Sequence, residues 1–150
     1  MAMPPLLFQT TKNKQIWGQL YGSSLALSLA EYCQQTQGIK VLIAHDSLSA
    51  SQLLDELPFF FDTSLPIPEL LLFPDWETLP YDQFSPHQDI ISQRLYTLSR
   101  IQQTNNAVII ASASTLMHRL CPPDYLNQYA LMLKRGQKLD LTLFRTQLQQ

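Results

Sequence analysis

Lys40-Val-Leu-Ile-Ala-His45 is a continuous apolar run, too short for a helix and of the right length for a strand buried on both faces. Strands of that kind belong to parallel sheets whose two faces are covered by helices, so the flanking sequence should read as helix. Upstream it does. Ser23 or Ser24 can cap a helix whose Leu25, Leu29, Tyr32 and Cys33 fall at i, i+4, i+7 and i+8. Gly38 then ends the helix where a left-handed residue is wanted. Downstream, Ser47 or Ser49 opens a second helix carrying Leu53, Leu54 and Leu57, stopped by Pro58.

The alternation continues. A stretch with Pro58, Pro66 and Pro68 leads to a second buried run, Leu70-Leu-Leu-Phe73, and residues 74–86 form a loop with three prolines and three aromatics. Ser85-Pro86-His87-Gln88 predicts a helix start, with Ser as cap, Pro at the first helical position and Gln at the third. Ile91, Leu95, Leu98 and Ile101 mark its buried face down to about Gln103. Asn105-Asn106 turns the chain into Ala107-Val-Ile-Ile-Ala111, a third buried strand, and Ser114 begins a short helix. Strands alternating with helices call for an α/β fold: an open, mostly parallel sheet flanked by helices through right-handed crossovers. A weaker strand before Gly22 would make a fourth.

Cys121-Pro-Pro-Asp124 breaks the pattern. Beyond it, residues 129–134 read as a strand, Gly136 as a turn, and Leu141, Phe144 and Leu148 as the start of an amphipathic helix. That helix runs into Gln150 without a cap or polar tail, as expected of a fragment. The expected division is therefore 1–120, an α/β domain, and 121–150, the truncated start of a second α+β domain.

Composition narrows the function. Charged residues make up 15% of the 150, against roughly 25% in an average domain. The net charge of −2 is unevenly spread: residues 1–120 carry six basic and ten acidic side chains, residues 121–150 four and two. DNA affinity rests on clustered Lys and Arg, so the larger part is not a DNA grip. Cys33 and Cys121 lie far apart with no CxxC pattern, which gives no zinc site and makes Cys33 a free thiol on a helix stripe. Residues 1–8 lack the basic start and long apolar run of a signal peptide, and no stretch approaches a membrane helix. The expected compartment is the cytoplasm.

Three constellations could carry chemistry. Trp17-Gly-Gln-Leu-Tyr-Gly22-Ser23-Ser24-Leu25-Ala26 is a glycine turn opening into a helix, the setting of a phosphate-binding loop. A working loop needs Lys for the terminal phosphates and Ser or Thr for magnesium. Ser24, Leu25 and Ala26 are what stand there, so a helix-capping turn without a ligand is the better reading. Asp75, Glu77, Asp82, His87 and Asp89 could hold a metal or serve a nuclease, but no lysine occurs between Lys40 and Lys134 to steady an attacking water. In the same loop Trp76, Tyr81 and Phe84 more readily pin the chain to the sheet edge than bind a ligand. The third is Ser112 or Ser114 with His118: Ser114 and His118, four apart, could meet on one helical turn, but a Gly-x-Ser-x-Gly elbow is absent and capping by Ser114 is the simpler role. An enzyme using the Gly22 turn or residues 75–89 for a nucleotide or metal stays as the alternative.

Residues 72–95, with the run Asp75-Trp-Glu-Thr-Leu-Pro-Tyr-Asp82 followed by Phe84-Ser-Pro-His-Gln-Asp-Ile-Ile91 and Arg94, closely resemble the signature segment of the bacterial transcription-repair-coupling factors, the Mfd family. The likeness extends through residues 107–111, Ser114-Thr-Leu-Met117, Arg119, Cys121-Pro122 and residues 134–137, and is looser before Val41. A more distant likeness to UvrB spans the same layout. The resemblance implies an N-terminal, UvrB-like module of a large ATP-dependent DNA translocase that displaces stalled RNA polymerase and recruits UvrA. It implies a helicase-like α/β part with a degenerate phosphate loop (Gly22, Ser23, Ser24, Leu25), followed by a UvrA-binding insert that begins near residue 121. Motor, ATP, magnesium, RNA polymerase and DNA contacts would lie beyond position 150, leaving this piece without a catalytic residue, metal, cofactor or membrane contact. The long aromatic hairpin with which UvrB handles DNA does not fit in residues 74–86. The implied role is scaffolding.

Overall fold

The computed structural model describes residues 9–11, 14–78, 82–129, 136, 138 and 140–148. Three parallel strands form its centre: β3 (Gly38–Ala44), β4 (Glu69–Phe73) and β5 (Asn106–Ser112), in the order β3-β5-β4. The helices between them are α1 (Ser24–Gln35), α2 (Ser47–Phe60) and α3 (Gln88–Gln103). The expected α/β class with an open parallel sheet flanked by helices is what the chain adopts. The fourth strand is not part of that sheet. β1 (Gln9–Thr11) and β2 (Lys14–Ile16) pair antiparallel with each other, because consecutive short strands satisfy their backbone groups most cheaply as a hairpin.

β5 lies between the other two and is buried from Ala107 to Ser112, as its apolar run requires. Val108 and Ile110 face α1 and α2, where Leu57, Cys33, Ala30, Ala50 and Phe61 complete the larger core. Ile109 and Ala111 face the other way with Phe73, and there Leu98 and Ile101 of α3 cover them. Burial pushes the Cys33 thiol above its ordinary value, with Lys40 acting weakly against it, so this sulfur is held protonated.

β3 departs from the expectation of burial on both faces. It is an edge strand, and Ile39, Val41 and Ile43 are 45%, 53% and 60% exposed. Their register partners are Ala107, Ile109 and Ala111, so they lie on the α3 face of the sheet, beyond the part that α3 covers. An apolar run cannot distinguish a central strand from an edge one.

Helix faces also differ in phase. On α1 the buried positions are Ala26, Ser28, Ala30 and Cys33, while Leu25 and Tyr32 are 40% and 42% exposed. Small side chains let α1 sit close against α2, and that turns the larger ones outward. Ser23 caps α1 without a side-chain bond; Ser24 Oγ instead donates to the Tyr21 carbonyl at 2.7 Å. α1 ends at Gln35 with Thr36 as its cap, ahead of Gly38. Gly38 does have a left-handed φ of +102°, but as the first residue of β3. α3 buries Arg94, Thr97 and Ser99, with Leu95 turned outward. Its cap is His87 rather than Ser85, since His87 is extended and its Nδ1 accepts from the Asp89 N–H at 3.3 Å. At its far end Arg100 makes a two-pronged pair with Glu69 at 2.8 Å for each prong, tying α3 to the start of β4.

α2 passes through Pro58 and ends at Phe60. A proline in the last turn removes a single backbone bond, which burial of Leu57 offsets. Its cap is Asp46, whose Oδ1 accepts from the Ser49 N–H at 2.7 Å. That backbone bond, helped by Ser49 and His45 side chains, lowers the Asp46 pKa from 3.8 to about 2. A carboxyl with a depressed folded pKa stabilises above its unfolded value and ceases to as pH falls through the folded one. Asp46→Ala should therefore lower the urea midpoint at neutral pH, with the gap to wild type closing between about pH 4 and about pH 2.

After β5 come a 3-10 turn (Thr115–Met117), α4 (Pro123–Tyr129) and α5 (Leu141–Leu148). α4 lies against α3, with Leu126 buried. Tyr129 closes α4 rather than opening a strand, and residues 130–134 of that expectation lie outside the described residues. Gly136 has a φ of +86°, suited to the turn expected there.

Candidate functional site

In an open parallel sheet the carboxyl ends of the strands carry the loops where ligands sit. Two such places stand out. The first is a groove of about 530 Å³ beside the Gly22 turn, along the outer side of β3 between α1 and α2. Gly22 has a φ of +56°, which glycine adopts without strain and which lets the chain enter α1. Leu25, Ala26, Leu29, Leu42 and Leu53 line the groove, and its ionisable side chains are His45 and Glu56. No Lys or Arg faces it among the described residues. A triphosphate would meet a leucine-lined wall and a carboxylate.

The second place is where β4 and β5 end. Phe73 stands in register with Ala111, so the residues two steps beyond each strand meet. There the structure joins two constellations that lie 39 residues apart in the sequence: Asp75 of the acidic loop and the Ser112, Ser114 and His118 group. Ser114 Oγ donates to Asp75 Oδ2, and His118 Nε2 lies 3.8 Å from Asp75 Oδ1. The Trp76 N–H donates to Asp75 Oδ1 at 2.7 Å. Ser112 Oγ is 2.9 Å from Ser114 Oγ and 2.7 Å from Thr115 Oγ1, forming a chain of hydroxyls under the loop. Burial acts to raise the Asp75 pKa, but the Ser114 and Trp76 hydrogen bonds and the charges of His118 and Arg94 outweigh it, leaving the carboxyl below its ordinary value.

A serine, an aspartate and a histidine together do not make a nucleophilic triad here. The serine donates to the carboxylate and has no imidazole to take its proton, the reverse of the order that activates a hydroxyl. The cluster is built to hold two segments together.

Arg94 completes it from below. It is 3% exposed, its guanidinium lies 4.1 Å from the Phe73 ring centre and 4.2 Å from that of Trp76, and it donates to the Pro74 carbonyl. Burial pulls the guanidinium pKa down and Asp75 opposes that shift. Thr97 Oγ1 adds a bond to the Leu72 carbonyl at 2.7 Å. Together they fix the loop that starts at Pro74.

The rest of the signature disperses. Glu77, Asp82, Phe84, His87 and Asp89 are exposed, and Asp82 accepts from the N–H of its neighbour Gln83. Trp76 is held against Arg94 of α3, whereas Phe84, 76% exposed, does not pin the loop. Tyr81 lies outside the described residues. Among the described residues no three His, Cys, Asp or Glu side chains converge as metal ligands.

No family model matches the chain. It is 43% identical to the transcription-repair-coupling factor of Escherichia coli (strain K12) over 136 residues, which are 91% of this chain and 11% of that protein. It is 41% identical to that of Haemophilus influenzae over 137 residues, 91% of this chain and 12% of that protein. The chain belongs to the transcription-repair-coupling factor family. The resemblance carried by residues 72–95 is thereby borne out. The chain spans about a tenth of the length of the curated transcription-repair-coupling factors it matches. UvrABC system protein B of Leptospira biflexa is 25% identical over 143 residues, 89% of this chain and 21% of that protein, in keeping with the second likeness. Among the described residues no helix is long and apolar enough to cross a membrane.

Within this segment of a transcription-repair-coupling factor, sequence reasoning missed Arg94 as a buried stack and the bond between Asp75 and Ser114. A signal for the second was available. Once adjacent parallel strands end at Phe73 and Ser112, the residues just beyond them must be neighbours.

Proposed function

We propose that this chain is a non-catalytic interaction and scaffolding module of a transcription-repair-coupling factor, acting in transcription-coupled nucleotide excision repair. The observation that carries the reading is the groove at the Gly22 turn, whose lining holds leucines, His45 and Glu56 but no Lys or Arg among the described residues, where a phosphate-binding loop needs an ammonium. On this reading Gly22, Ser23, Ser24 and Leu25 are a degenerate phosphate loop, kept because the turn starts α1. Residues 1–120 act as the UvrB-like platform and 121–150 as the beginning of a UvrA-binding domain. The module supports UvrA recruitment and packs against other domains of the parent to restrain its motor. ATP, magnesium, DNA and RNA polymerase are engaged by other regions of the parent, in the cytoplasm.

A pair of titrations on the isolated chain tests this. ATP with magnesium is expected to leave the melting temperature unchanged; a rise of several degrees, abolished by altering Gly22 or Asp75, would establish a nucleotide- or metal-binding domain instead. UvrA is expected to co-elute weakly or not at all with residues 1–150 on a sizing column, since most of the docking domain is proposed to lie beyond them. Strong co-elution contradicts that division of labour.

A further inference from the structure

We propose that the carboxyl end of the sheet is a docking surface for a protein segment that carries Lys or Arg beside bulky apolar side chains. This rests on the reading of the chain as an interaction module. The ATP titration tests that reading and a peptide titration tests this surface, so either can fail alone.

Each of the three parallel strands is followed, at this end, by a large apolar side chain left in water. Leu48 comes after β3, Phe84 after β4 and Met117 after β5, and they are 69%, 76% and 85% exposed. One such residue is ordinary on a protein surface, but three gathered on the loops of one sheet end mark a place where a partner removes them from water. Phenylalanine and methionine are enriched in interfaces, the second because its unbranched chain adapts to what it meets.

The loops that carry them are tied to one another. Ser47 and Ser51 of α2, Pro74 and Glu77 of the loop after β4, and Gln93 of α3 line one cavity of about 160 Å³, so the starts of both helices meet around that loop. The segment bearing Met117 joins them through Ser114, which donates to Asp75. A surface held in this way loses little freedom on binding.

Charge selects the partner. Between Lys40 and Arg94 the sequence holds nine carboxylates and no Lys or Arg. Of these Asp46, Glu77, Asp82 and Asp89 are exposed at this end, facing the solvent alongside Arg119. Arg94 is buried against Phe73 and Trp76 and presents no charge to the surface. Four carboxylates repel a phosphate backbone, whereas they attract a segment whose Lys or Arg lie next to its apolar groups.

Titration of the isotope-labelled 150-residue chain with a synthetic amphipathic peptide of leucine and lysine, about 14 residues long so that it forms a helix, tests the surface. Amide shifts are expected to move in residues 46–51, 74–78, 82–89 and 114–119. Phe84→Ser should weaken binding about tenfold through loss of an aromatic anchor, and Glu77→Lys combined with Asp82→Lys by about as much. Ile67→Ser, at the opposite end of the sheet, should leave the affinity unchanged. All four positions are exposed, so the fold is kept. Absence of binding, or an unchanged affinity in Phe84→Ser, overturns the proposal. So does equal binding of a peptide with serine at every leucine position, which would reduce the attraction to charge alone. Shifts confined to the groove at Leu25, Leu29 and Leu53 would place the peptide beside β3 and also overturn it.

Discussion

Arg94→Ala is expected to cost about 3 kcal/mol of stability and to release residues 74–78 from the end of β4. Three losses add. The guanidinium stacks against Phe73 and Trp76 in a site almost closed to water, where such contacts are worth about 1 to 2 kcal/mol. The Pro74 carbonyl loses its charged donor, and an unsatisfied buried acceptor costs about 1 to 3 kcal/mol. A space opens between two rings that cannot collapse freely, being fixed by β4 and by the Asp75 cluster. The third loss is partly relieved by water, which keeps the total near the middle of the range. Arg94→Lys should recover less than half, since an ammonium cannot lie flat between two rings. Urea unfolding supplies the free energy. Trp76 fluorescence in a Trp17→Phe background reports the loop, and an unchanged emission in Arg94→Ala would show that Arg94 does not hold Trp76.

Leu57→Ala should be at least as damaging, about 2 to 5 kcal/mol. Leu57 is fully buried in the core that joins α1, α2 and β5, and it lies in the last full turn of α2 beside Pro58. The proline has already removed a backbone bond from that turn. Packing of Leu57 is what keeps Phe60 and Phe61 on the core, so loss of the isobutyl group should also unwind the helix end. The urea midpoint measures the first effect and exchange of the amides of residues 59–61 the second. A loss below about 1 kcal/mol would mean that the end of α2 repacks.

The two changes probe what was and was not legible in the sequence. β5 could be read because a central strand must be apolar on both sides, and residues 107–111 are. The same pattern at residues 40–45 led to the wrong environment, because Ile39, Val41 and Ile43 are apolar yet half-exposed at an edge. Nothing local marks that difference; it depends on strand order. The leucines of α1 do not mark its buried face, because close helix packing selects for the small residues Ala26, Ser28 and Ala30. The helix starts at Asp46 and His87 each fell within two residues of the serines first favoured, as either side chain type can accept from the free N–H groups. At the end of β4, what Trp76 and Asp75 touch is set by Arg94 and Ser114, which are 18 and 39 residues further along the chain. Long-range pairs of that kind become visible only once topology places two strand ends side by side.

The bare side of β3 has a practical consequence for anyone handling the chain in isolation. Among the described residues no strand pairs with the outer edge of the seven-residue β3, and the backbone groups that alternate residues point that way, next to three branched aliphatic groups, form a template on which a second extended segment can hydrogen-bond. Concentrated stocks will tend toward ribbon-like aggregates seeded there, and a lysine placed at position 41 would be the simplest guard against them.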